Sequence, residues 1–166
     1  MPVERKAAIA TCVRLWMFAF MAAELWIDRD TGNIRIGDLA LLEPNQIKGS
    51  IEPQVAEFLE SSQDHGNGFE WLYLRGLTFG GQPAGLSICF HDGRFEQASW
   101  SVHLPDAPTE GGWPTREAID CELSFVRETL ARDMGIHARE MPWGEVWSSF
   151  DAKGFMAANG LRYRPS

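Results

Sequence analysis

The sequence predicts an α+β fold: an antiparallel sheet built from hairpins and a central meander, with helices packed on one face to give two layers. Three observations predict it. Residues 69–103 alternate apolar and polar side chains around two glycine-containing turns, the pattern of consecutive antiparallel strands. In residues 115–135, Ile119, Leu123, Val126 and Leu130 recur at i, i+4, i+7 and i+11, the pattern of one long amphipathic helix. The 166 residues suit a single domain, and a chain of this size buries about 70% of its unfolded surface without needing a disulfide or a metal.

The first element is ambiguous. Residues 7–23 are largely apolar and follow Arg5 and Lys6, as in an export signal. Arg14 interrupts the run, and neither Ala19 with Met21 nor Phe20 with Ala22 supplies the paired small residues of a cleavage site. A buried first element is the favoured reading. An export signal, or a translation start at Met17 or Met21, is the alternative. The α+β body is then residues 24–166.

Residues 24–42 read as a hairpin, Leu25 and Ile27 answering Ile34 and Ile36 across a turn at residues 30–33. Asp28, Asp30 and Gly32 hint at a calcium loop, but Gly32 comes one place early and Leu39 stands where the bidentate glutamate belongs. Ser50 is expected to cap a short helix with Pro53 in its first turn and Val55, Phe58 and Leu59 inward. Residues 61–68 read as a loop. Strands follow at 69–79, 84–90 and 94–103. A bulged three-residue hairpin at His91-Asp92-Gly93 pairs Phe90 with Arg94, Ile88 with Glu96 and Leu86 with Ala98. Extended to the first strand, this register puts Tyr73, Leu77 and Phe79 on the apolar face. It also puts Arg75 and Glu96 there as an ion pair across Ile88. After a loop at 105–114, Thr115 caps the long helix and Gly135 ends it. Residues 144–150 and 155–164 form a last hairpin.

Charge narrows the function classes. Fifteen Lys+Arg against twenty-three Asp+Glu give a formal charge of −8. That field repels phosphate backbones and anionic membranes and attracts basic proteins. Cys12, Cys89 and Cys121 are odd in number and form no CxxC pair, which reads as reduced thiols in a cytoplasmic protein. His65, His91, His103 and His137 lack metal-ligand spacing, so neither metal nor cofactor is expected. The best enzyme constellation is Cys89, His91 and Asp92 at a hairpin tip open to water, with no oxyanion donor evident. No catalytic residue is assigned. Of the seven tryptophans, Trp26, Trp71 and Trp100 fall in strands and read as core. Trp113 and Trp143 lie in loops, where each ring either covers the sheet end or joins an interface.

Two strings, GNIRIGDL at 32–39 and PWGEVWSSFDAKG at 142–154, flank the meander and the helix. This layout resembles small bacterial immunity proteins, particularly those of contact-dependent growth-inhibition systems. The resemblance implies a protein that binds and neutralises a cognate toxin, with no catalytic residues of its own. Many such toxins are basic nucleases, which agrees with the acidic charge. The apolar N-terminal segment departs from the pattern. The expected contact surface is Asp92, Glu110, Trp113, Glu117, Asp120 and Glu128, on a monomer or weak dimer that binds neither nucleic acid nor membrane. Two other readings stay open: a structural or assembly accessory that associates through a strand edge, and a small hydrolase.

Overall fold

The computed structural model describes residues 23–166, so Cys12 and the apolar N-terminal element fall outside the described residues. Strands β1 (Ala23–Ile27), β2 (Ile34–Ile36) and β3 (Ala40–Leu42) lead into helix α1 (Lys48–Val55) and one 3₁₀ turn (Ala56–Phe58). Next come β4 (Leu59–Asp64), β5 (Phe69–Phe79), β6 (Gln82–His91) and β7 (Arg94–Val102). A small ladder, β8 (Thr109–Glu110) with β9 (Trp113–Pro114), precedes helix α2 (Arg116–Met134). Strands β10 (Glu140–Met141), β11 (Gly144–Asp151) and β12 (Met156–Tyr163) complete the chain.

The main sheet runs β10-β11-β12-β7-β6-β5-β1-β2-β3, with β4 also on β5. Its pairs are antiparallel except β1 with β5, which run parallel through Ala23–Leu77 and Glu24–Thr78. Hairpin logic alone misses this pair. The chain leaves β1 through β2, β3, α1 and β4 before β5 returns, and a parallel pair requires such a crossover. One side of β5 therefore holds two neighbours, β4 along its first half and β1 along its second. The register shifts between Leu74 and Leu77, where Gly76 takes φ +77°, a conformation open to glycine at little cost.

That bulge overturns part of the expected register. Leu72 and Leu74 are buried before it and Leu77 and Phe79 after it, so Tyr73 lies on the opposite face. Arg75 is exposed and pairs with Glu60 of β4, not with Glu96. At the other hairpin, His91 pairs with Arg94 across a two-residue turn. A bulge opposite Cys89 and Phe90 then absorbs Glu96, so Ile88 faces Ala98 and Leu86 faces Trp100. The apolar set Leu86, Ile88, Phe90, Ala98, Trp100 and Val102 is buried as expected, but Leu86 and Ile88 are two residues, and Phe90 one, out of the expected pairing. A short turn and one extra residue reach the same face as a longer turn, so alternation cannot separate them.

Trp71 is half-buried beside Tyr73 on the open face, not in the core. Three further expectations change. Ile47, not Ser50, occupies the cap of α1, and the Ser50 hydroxyl donates to Ile47 O from inside the helix. Leu59 is exposed, whereas Ile51 and Val55 are fully buried. Residues 59–64 form β4 although all six are exposed.

The core joins both helices to the sheet: Ile51 and Val55 of α1 and Val126, Leu130 and Met134 of α2 share one cluster with the buried strand residues. Phe79, Phe90 and Phe95 are fully buried within it, each stabilising the fold by roughly 1.5–3 kcal/mol. The two resemblance strings meet here. Trp143 Nε1 donates to Arg29 O (2.9 Å), and Tyr163 OH donates to Gly32 O (2.7 Å). Gly32 has φ +73°, and a Cβ there would collide with the Trp143 ring. These residues staple the β1–β2 turn to the C-terminal hairpin, so Trp143 covers the sheet end. Asp28 shapes the same turn by accepting from Asp30 N and Thr31 N, both 2.9 Å.

Candidate partner-binding surface

Residues 109–117 form a projection built on α2. Gly111 and Gly112 take φ +59° and +83°, as the central pair of a tight hairpin turn requires. Glu110 then faces Trp113, and Thr109 faces Pro114. Thr115 ties the projection down. Its hydroxyl donates to Pro108 O (3.2 Å) and accepts from Ala118 N (3.2 Å), capping α2. Trp113 is 74% exposed, the most exposed of the large apolar side chains among the described residues. Glu117 follows in the first turn of α2.

The outward face of α2 is less acidic than its spacing suggests. Asp120 is held by Arg116 (3.0 Å), whose guanidinium also lies 3.7 Å from the Phe150 ring centre. Asp133 is held by Arg132 (2.8 Å), which keeps its carboxyl below the usual range. Arg127 donates to Ser148 O on β11. Glu117 and Glu128 form no salt bridge among the described residues and stand about 16 Å apart along the axis. Glu110 and Trp113 thus face each other on the projection, Glu117 and Asp120 follow in the first turns of α2, and Glu128 lies farther along the helix. Asp92 is elsewhere, at the β6–β7 turn. The nine residues of β7 lie between it and the projection along the chain. Sequence reasoning missed Arg116, although its i,i+4 spacing to Asp120 is readable.

The groups that suggested chemistry stay together at the β6–β7 turn but offer no activated nucleophile. Cys89 is buried, and burial, with the Glu96 charge second, pushes its thiol up to about 11, away from nucleophilic use. His91 stacks on Phe69 at 4.4 Å, its Nε2 3.7 Å from Asp92 Oδ2. No group of three or more metal-ligand side chains occurs among the described residues. No helix among them is long and apolar enough to cross a membrane.

A partly buried polar network lies beneath α2. Glu122 Oε1 accepts from Val102 N (3.0 Å) and Asn159 Nδ2 (3.1 Å). Asn159 also donates to Trp100 O (3.2 Å) and accepts from the Ser148 hydroxyl (2.7 Å). Burial pushes the Glu122 carboxyl above its usual range, opposed by these two hydrogen bonds and by His103. The network joins α2 to β7 and β12 and serves the fold. Compared with known proteins, the chain matches no family model, no curated protein and no solved structure.

Proposed function

We propose that the chain is an immunity-type binding protein that neutralises a basic protein toxin, with a nuclease the class its charge suits best, acting in the cytoplasm without a cofactor. The observation that carries this reading is Trp113, 74% exposed on a tied-down projection with Glu110 opposite it and Glu117 in the first turn of the helix that follows. An exposed tryptophan is of the residue type most often found as the energetic anchor of an interface. The surrounding carboxylates attract a basic partner and speed encounter. Glu128 extends that field along α2, and Asp92 contributes at long range. The reading includes a two-layer arrangement with both helices on one face of the sheet.

The test is co-purification of the C-terminally tagged chain with the products of neighbouring reading frames at physiological salt. The expected result is a stoichiometric basic partner whose toxicity disappears on co-expression. Trp113→Ala should weaken that complex at least about tenfold. A chain that co-purifies with none of those products overturns the reading.

An assembly accessory is the second reading, favoured by one feature. β4 pairs only with β5 among the described residues, leaving its other edge open. A solution mass of one chain at the highest workable concentration removes it.

A further inference from the structure

The face of the sheet turned away from α2 carries an open trough. Register places Tyr73, Ser87, Ser99, Gly160 and Trp147 opposite one another in a single row across β5, β6, β7, β12 and β11. Residues in one row project to one face. The row therefore reads aromatic, small, small, small, aromatic, with its ends about 19 Å apart over four strand spacings. Gly85 and Ser101 continue the small floor in the next row. A Cβ on Gly160 would lie 2.6 Å from Trp147 Cζ2, so the indole leans over that glycine into the trough. At the other wall Trp71 stacks on Tyr73, nearly parallel at 6.4 Å. The trough holds about 750 Å³ and stays open to solvent, a volume within the usual range for small-molecule sites.

The lining chemistry narrows the occupant. The hydroxyls of Ser87, Ser99 and Ser101 and the Trp147 N–H form no hydrogen bond among the described residues. The one permanent cation of the lining, Arg75, is paired with Glu60. An anion would meet the Glu60 and Asp151 carboxylates of the lining, and the guanidinium beside it, Arg162, already donates twice to the Gln97 amide oxygen, so an anion fits poorly. A lipid would strip water from three hydroxyls and return no partner. An extended peptide gains affinity from a free strand edge, but the floor strands are paired on both sides. A sugar meets each condition. Its hydroxyls donate and accept, as serine hydroxyls do, and its C–H faces pack on aromatic side chains.

We propose that this trough binds a neutral oligosaccharide, seated between Tyr73 and Trp147 with its hydroxyls on Ser87, Ser99 and Ser101. The site is separate from the Trp113 projection and does not depend on the toxin-binding reading.

Calorimetric titration of the full chain with cellotetraose, tetra-N-acetylchitotetraose and maltotetraose tests it. Saturable binding of at least one of them is expected, with a change in tryptophan fluorescence. Ser99→Gln fills the floor without touching the apolar face and should abolish binding. Trp147→Ala should weaken it at least about tenfold, and Trp113→Ala should leave it unchanged. Trp147 packs on Gly160, so if its variant melts early the Ser99 variant decides. The proposal falls if none of the three binds at about 10 mM, or if binding survives Ser99→Gln.

Discussion

Glu122 shows how one side chain links the fold to pH. Its raised carboxyl pKa arises first from burial between α2 and the sheet. As pH rises through the ordinary glutamate range, near 4.3, the unfolded chain loses this proton first. The folded chain keeps it until its own higher pKa, so this group lowers stability across that window and above it. Glu122→Gln retains an oxygen able to accept from Val102 N and Asn159 and removes the charge. The variant should therefore match the parent near pH 4 and melt higher than it at pH 7. Melting curves at the two pH values decide this, and an equal offset at both would refute the linkage. Gly32 is a steric counterpart. Gly32→Ala places a side chain at φ +73° and against Trp143, and should cost at least about 2 kcal/mol in urea denaturation.

Elements differ in how much of their specification is local. The α2 helix was legible because its cap, apolar spacing and C-terminal glycine lie within its own segment. Thr115 and Gly135 occupy the predicted caps, and Ile119, Leu123, Val126 and Leu130 are buried. Thr115→Ala should lower stability by about 1 kcal/mol. It should also raise amide exchange at residues 109–114, because the same hydroxyl holds Pro108 O. Exchange unchanged there would mean the projection is rigid without its tie. Strand β4 was illegible for the opposite reason. Its sequence, LESSQD, carries no apolar alternation because neither face is buried, and only pairing with β5 makes it a strand.

At the scale of the whole molecule, charge and shape act on different surfaces. Glu110, Glu117 and Glu128 form no salt bridge among the described residues, whereas Asp120 and Asp133 are held by arginines of α2, and the trough lining pairs its one guanidinium, Arg75, with Glu60. Association with a basic partner should slow as salt rises from about 0.05 to 0.5 M, where the screening length falls from above 10 Å to a few ångströms. Reversing Glu117, Asp120 and Glu128 to Lys should slow association at low salt and flatten that dependence. On-rates that match the parent's would remove the helix from the steering surface.

Sequence alone determined the class of the fold, the long helix, the terminal hairpins and the exposed acidic candidates, because periodicity, caps and turns act over a few residues. Tertiary structure decided the parallel β1–β5 pair, the bulges at Gly76 and Glu96 and the outward turn of Tyr73. It alone joined Gly32 to Trp143 and aligned Tyr73 with Trp147. A strand's neighbour and register depend on residues far along the chain, and one inserted residue reverses every face after it.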